Sequence, residues 1–135
     1  MDNNDPLTPT SGDHTPSPVL CSATMASLRD EGEDFLLDLV DLFVTETPAR
    51  LALLASALDA GDRATAQRAA HTLKSTAAVF GAYAMASVAS AAELAARAGE
   101  LPEVARLLPS LRMITEEVRL ALLSERQNLL SANVA

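Results

Sequence analysis

The sequence predicts an all-α protein, an antiparallel up-and-down four-helix bundle with a short additional helix at its N-terminal end. Three observations favour this fold class. Apolar residues make up 49% of the 135 residues, yet the aromatic residues are only three Phe and one Tyr, which suits a helical core of Ala, Leu and Val. Four long segments repeat their apolar residues at helical spacing. Short turns join these segments, and helices joined by short turns pack as antiparallel neighbours.

The chain length fits one domain of ordinary size. Residues 1–18 contain four prolines among Asp, Asn, Thr and Ser, a composition typical of a disordered acidic tail. His14 lies in this tail with no helix to orient its ring, and we interpret it as a solvated residue. The helical bundle is expected over residues 19–130, and residues 131–135 are expected to fray.

The first two helices are expected over residues 19–29 and 33–60, with Gly32 between them. The longer of the two has two apolar stripes, of which one belongs in the core. The other stripe consists of Phe35, Leu39 and Leu42. We expect the first helix to cover this second stripe, and any part left open near the third helix would be a docking patch.

Glycine, aspartate and proline mark the remaining boundaries. Asp62 suits the N-cap of the third helix, and Gly81 suits the turn that ends it. Pro48 either starts a new helical segment or kinks one long helix, and Pro109 should bend the last helix. The last two helices are expected over residues 82–98 and 102–130.

Charge and composition exclude several classes of function. A net charge of −8 disfavours a nucleic-acid surface, which needs clustered Lys and Arg. Cys21 is the only cysteine, so the chain can form neither an intramolecular disulfide nor a cysteine-based metal cluster. The sequence has no apolar run long enough to span a membrane and no secretory signal pattern. We therefore expect a cytoplasmic protein that does not bind a membrane.

The third helix carries a histidine on the face opposite its apolar stripe. The stripe consists of Ala66, Ala69, Ala70, Leu73, Ala77 and Phe80. At about 100° per residue, His71 lies about 200° around the helix from Leu73. The imidazole should therefore be exposed to solvent and within reach of another folded protein. Its neighbours on the same face are Gln67, Arg68, Lys74, Ser75 and Ala78.

This arrangement suits a residue that accepts a phosphoryl group. An exposed imidazole is largely neutral at pH 7, so one ring nitrogen keeps a lone pair that can act as a nucleophile. Lys74 offers a compact cation for the phosphoryl oxygens, and Arg68 is a further candidate. A hydrolase or a metal site would need an acidic residue one helical turn from His71, and the sequence has none there. No glycine-rich phosphate loop is present, so we expect no autonomous kinase activity.

Residues 71–75, His-Thr-Leu-Lys-Ser, with Gly81 and Ala82 following, resemble the motif of histidine-containing phosphotransfer (HPt) domains of two-component phosphorelays. That motif is usually written His-x-x-Lys-Gly with a later glycine. The resemblance extends from about Leu20 to about Leu123, and it includes the runs at residues 34–43, 58–62 and 93–99.

The resemblance implies a phosphoryl carrier. His71 would accept a phosphoryl group from the aspartate of one receiver domain and pass it to the aspartate of another, while Lys74 neutralises charge on the transferring group. The implied partners are receiver domains of response regulators, with those of hybrid histidine kinases among the candidates. The chain itself would hold no cofactor, and Mg²⁺ is expected on the partner receiver. A monomer is the default state for such a bundle.

The expected docking surface consists of Gln67, Ser75 and Ala78, around a histidine helix that ends at the structural turn of Gly81. Ser75 departs from the motif, since many family members carry glycine there, but serine is still small. An alternative function remains open at this point. A degenerate bundle could bind and sequester a receiver domain without transferring a phosphoryl group.

Overall fold

The computed structural model describes residues 19–132, and five α-helices occupy nearly all of this range. The helices are α1 (Ser22–Glu31), α2 (Glu33–Ala60), α3 (Arg63–Val79), α4 (Tyr83–Arg97) and α5 (Leu101–Ala132). Residues 19–132 contain no β-strand, so the predicted all-α class is confirmed. The predicted tail, residues 1–18, and residues 133–135 lie outside the described part of the chain.

The long helices contact one another in a ring. α2 packs against α3 and α5, and α4 packs against the same two helices from the other side. The short α1 packs against α2. The result is a helical bundle in which one apolar core is shared by the four long helices.

Small residues bring α3 and α4 close together. Ala66, Ala69 and Ala70 on α3 are fully buried, as are Ala89, Ala92 and Ala96 on α4. The large rings of Phe43 and Phe80 meet edge to face between α2 and the end of α3, with their centroids 5.7 Å apart. Because close-packed interiors hold helix backbones in place, α3 has a fixed position in the bundle, and so has the backbone that carries the side chains of its outer face.

The structure decides between the two interpretations of Pro48 in α2. Pro48 lies inside one continuous helix from Glu33 to Ala60, which excludes a new helical segment at that position. Pro109 likewise lies inside α5, and the predicted bend there stays a prediction. The other boundaries fall within three residues of the expected ones, and α5 continues through Ser131 and Ala132.

Asp62 caps α3 as its sequence position predicted. Its carboxylate accepts hydrogen bonds from the Thr65 backbone N–H at 3.1 Å and from the Thr65 hydroxyl at 2.6 Å. These hydrogen bonds lower the pKa of Asp62 below its ordinary value. The charged cap satisfies a backbone donor that the first turn of the helix would otherwise leave free.

Two features of the structure require glycine at position 81. Its φ of +67° is in the left-handed region that favours glycine, as expected for the turn after α3. In addition, a Cβ at this position would lie 2.5 Å from Cβ of Cys21. The Gly81 carbonyl also accepts the Cys21 N–H at 3.1 Å, so the glycine lets α1 begin directly against the end of α3.

The expectation that α1 covers the second apolar stripe of α2 is wrong for two of its three residues. Phe35 and Leu42 are 46% and 56% exposed. The reason is the course of α1, which starts beside Gly81 and reaches α5, where Arg29 pairs with Glu125 at 3.0 Å. Held at both of these points, α1 leaves the outer face of α2 next to α3 open.

Candidate functional site

His71 lies in the middle of α3 with its side chain 58% exposed, as the helical spacing predicted. Its chain neighbours Ala70 and Leu73 are buried in the core. The backbone that carries the imidazole is therefore fixed by packing while the ring itself faces solvent. This combination suits a side chain that must be both accessible and preorganised.

A carboxylate from α4 orients the imidazole. Glu93 Oε2 lies 3.0 Å from Nδ1 of His71, and the Glu93 side chain is only 5% exposed. The sequence has no acidic residue one helical turn from His71, and the acid that orients the ring comes instead from a neighbouring helix. Close packing of the alanine faces of α3 and α4 brings the two side chains within hydrogen-bond distance.

Two cations also contact Glu93. Lys74 Nζ lies 2.7 Å from Oε1, and Arg97 Nη2 lies 3.1 Å from Oε2. The hydrogen bond from Lys74 is the largest influence on the Glu93 carboxyl, and together with that from His71 it outweighs burial and lowers the pKa of Glu93. Glu93 is therefore an ionised carboxylate at neutral pH, buried but fully compensated.

The ionised state of Glu93 determines which imidazole nitrogen is free. A carboxylate only accepts hydrogen bonds, so we assign the proton of the neutral His71 ring to Nδ1, which donates to Glu93. Nε2 then carries the lone pair. The nitrogen available for nucleophilic attack is the one farther from the backbone.

Lys74 is more engaged than the sequence indicated. The sequence offered Lys74 as a cation for phosphoryl oxygens, and in the structure its ammonium group is paired with Glu93 while its side chain is 35% exposed. The pairing arises because Lys74 lies one turn after His71 and faces the same buried carboxylate. The ammonium group nevertheless remains beside the imidazole.

The remaining predicted residues divide into two groups. Gln67 and Arg68 line a shallow depression together with His71, Thr72 and Glu93. The Arg68 guanidinium donates to the Thr65 hydroxyl at 3.2 Å, which directs it towards the start of α3. The exposed side chains of Ser75 and Ala78 lie farther along α3 and are not part of the depression.

Sequence reasoning missed Glu93 and Arg97. One signal could have found them: Glu93 is a charged residue flanked by buried alanines, Ala92, Ala95 and Ala96. A carboxylate on a buried face needs a partner, and Arg97 one turn later is the first candidate. The partners on α3 could not be read from the spacing within α4.

The described residues, 19–132, contain no group of three or more His, Cys, Asp or Glu side chains placed to hold a metal ion. Within the same range, no helix is long and apolar enough to cross a membrane.

Comparison with known proteins places the chain in a family. The family model described as the Hpt domain matches residues 38–124. The chain belongs to the Hpt domain family. Among solved structures, the chain is similar to the crystal structure of histidine-containing phosphotransfer protein B (HptB) from Pseudomonas aeruginosa PAO1. The two are 32% identical with a TM-score of 0.78, over 84% of this chain and 98% of the other. No curated protein sequence matches.

The Hpt match includes every residue of the cluster around Glu93. His71, Lys74, Glu93 and Arg97 all lie between residues 38 and 124, whereas α1 lies before the matched range. His71 and Lys74 lie on α3, and Glu93 and Arg97 lie on α4. In this Hpt domain these two helices therefore carry the cluster around Glu93.

Proposed function

We propose that this Hpt domain carries a phosphoryl group on His71 Nε2 between receiver domains of a phosphorelay. The observation that supports the proposal best is the exposed imidazole whose Nδ1 is held by the buried carboxylate of Glu93. This arrangement leaves one nucleophilic nitrogen, directed away from the core. The family membership of the chain supports the same function.

The proposed transfer step involves one bond formed and one bond broken. The Nε2 lone pair attacks the phosphorus of an aspartyl phosphate on the first receiver, and the P–O bond breaks with its electron pair returning to the aspartate. The Nδ1 proton stays in place, so the phosphorylated ring carries positive charge that the Glu93 carboxylate stabilises. The reverse step delivers the phosphoryl group to the aspartate of a second receiver.

Cations beside the imidazole would stabilise the phosphoryl group. Lys74 and Arg97 both contact Glu93, and Arg97 shares Oε2 with His71, so their charges lie next to the ring. Arg68 contributes at longer range from the depression around His71. The Mg²⁺ that assists transfer is assigned to the receiver, and this chain supplies no cofactor.

The docking surface would extend from the predicted residues Gln67, Ser75 and Ala78 onto the open face of α2. The contacts of α2 with α3 and α5, together with the short turns, support antiparallel up-and-down packing of four long helices in residues 19–130. Such a surface suits a monomer that meets one receiver at a time.

The test is transfer of labelled phosphate from isolated phospho-receiver domains to the wild-type chain and to a His71→Gln variant. We expect acid-labile, base-stable label on the wild type and none on the variant. A His14→Gln variant is the matched control, since the chain has two histidines and His14 is the other one, and it should be labelled like the wild type. Binding of a receiver without any label would instead indicate the sequestering module.

A further inference from the structure

An apolar groove runs between α2 and α3 on the open side of the bundle, with a cavity volume of about 320 Å³. The buried rings of Phe43 and Phe80 are part of its lining, and the exposed side chains of Leu42 and Val79 flank it. Apolar surface of this kind favours contact with a partner over contact with water.

The groove adjoins the candidate phosphoryl site. Thr72 lines both the groove and the depression around His71. Any protein that brings a reacting aspartate to His71 therefore meets the groove in the same encounter. This continuity favours a receiver domain as its occupant.

Arg50 marks the end of the groove nearest the histidine. The turn at Gly61 and Asp62 that joins α2 to α3 is short, so residues equally distant from it along the chain lie at similar levels in the two helices. Arg50 and Thr72 are equally distant from Gly61, and both line the groove.

The Arg50 guanidinium has unused hydrogen-bonding capacity. Its Nε is buried and has no partner among residues 19–132. The carboxylate of Glu46, which also lines the groove, lies 3.9 Å from Nη2, an ion-pair distance that is too long for a hydrogen bond. The side chain is 41% exposed, so its outer nitrogens can be reached from solvent. A planar guanidinium in this state is suited to a bidentate contact with a carboxylate.

We propose that Arg50 is a specificity-determining residue that selects receivers carrying an acidic side chain beside an apolar docking helix. The apolar face of that helix would fill the groove between Leu42 and Val79, and its carboxylate would pair with Arg50. The chain has a net charge of −8, so acidic partners are otherwise repelled and a single well-placed arginine discriminates strongly among them.

This inference rests on the proposed phosphotransfer function, and its test begins with the receiver domain that transfers phosphate fastest to the wild-type chain. Binding of that receiver is measured by calorimetry for Arg50→Glu and for the matched control Arg112→Glu. Arg112 is an exposed arginine on α5, outside the groove, and the substitution makes the same charge change. Circular dichroism verifies that both variants fold, and Arg50→Gln replaces Arg50→Glu if the latter does not.

We expect Arg50→Glu to raise Kd at least about tenfold while Arg112→Glu stays near the wild-type value. An acidic-to-lysine change on the docking helix of the receiver should restore binding to Arg50→Glu and weaken binding to the wild type. Equal Kd values for all three chains, or equal weakening by both substitutions, would overturn the role of Arg50 while leaving phosphotransfer intact. Absence of label on His71 from every receiver would overturn both proposals.

Discussion

At the residue scale, the candidate site of this Hpt domain depends on one buried carboxylate, whose negative charge is balanced by neighbouring hydrogen-bond donors and cations. Glu93 contacts an imidazole, an ammonium group and a guanidinium, and the three partners come from two helices. Its charge orients His71 and pairs with Lys74, and the hydrogen bonds from Lys74 and His71 lower the pKa of Glu93. A substitution of Glu93 should therefore affect both phosphotransfer and stability.

Replacement of Glu93 by glutamine should slow phosphorylation of His71 by roughly 10–100-fold, because a neutral amide neither holds the Nδ1 proton as firmly nor stabilises the positive ring. Single-turnover transfer from a phospho-receiver measures the rate. A structural role alone would lower the amount of folded protein without changing the rate per folded molecule. The rate is therefore normalised to the folded fraction, and an unchanged value would contradict the positioning role.

The same substitution should change how stability depends on pH. Because the pKa of Glu93 is lowered in the folded state, its contribution is fully present above the ordinary glutamate pKa and is lost as pH falls through the lowered value. We expect the wild type to exceed Glu93→Gln by about 1–2 kcal/mol in the free energy of unfolding at pH 7, and this difference should narrow below about pH 4.3.

Urea unfolding from pH 7 to pH 3 measures that difference. Glu117→Gln, at an exposed carboxylate on α5, is the control and should change the free energy of unfolding by less than about 0.5 kcal/mol. Suppose instead that the difference in the free energy of unfolding between the wild type and Glu93→Gln widens as the solution becomes more acidic. That result would contradict the assignment of Glu93 as an ionised carboxylate stabilised by its partners.

At the scale of elements, the junction between α1 and α3 depends on one missing side chain. A Cβ at Gly81 would overlap Cys21 and Thr24, and the Gly81 carbonyl accepts a hydrogen bond from the Cys21 N–H at the start of α1. The helix that results reaches from the end of α3 to Glu125 on α5. The position of α1 in turn leaves the groove face of α2 open.

Substitution of Gly81 by alanine should destabilise the protein more than the same substitution at Gly61. Both glycines have a φ of +67°, so backbone strain contributes equally. A Cβ on Gly61 meets no atom within 4 Å, whereas one on Gly81 would overlap Cys21. We expect Gly61→Ala to cost about 1 kcal/mol and Gly81→Ala about 2–4 kcal/mol in the free energy of unfolding. Equal losses in thermal or urea unfolding would show that the contact with α1 is unimportant.

At the scale of the whole molecule, the bundle is closed by contacts of α2 and α4 with both α3 and α5. The α3 face in this core is almost entirely alanine, so the neighbouring helices approach closely and no space remains for a larger group. Stability therefore depends strongly on which face of α3 receives a substitution.

The paired substitutions Ala77→Glu and Ala78→Glu test that dependence with adjacent residues of one type. Ala77 is fully buried and Ala78 is exposed. We expect Ala77→Glu to unfold the bundle, since it places an unpaired charge in the core, and Ala78→Glu to retain the helical circular dichroism spectrum. Cooperative unfolding of Ala77→Glu near the wild-type temperature would contradict the assigned faces of α3.

The faces and ends of α3 could be predicted from the sequence because their determinants are local. Helical periodicity placed His71 opposite Leu73, Asp62 marked the N-cap, and Gly81 marked the turn, all from residues within one or two turns of each other. The family motif is equally local. These features depend on backbone geometry, which neighbouring residues largely determine.

Only the tertiary structure decided which side chain hydrogen-bonds to His71 and which face of α2 stays open. Glu93 lies 22 residues from His71 along the chain, and its burial is tolerated because cations on α3 and α4 converge on it. The course of α1 likewise depends on contacts with α3 and α5 that no spacing within α1 records. The sequence by itself therefore determined that His71 is exposed on α3, and helix packing decided which of its nitrogens is free and which face of α2 stays open.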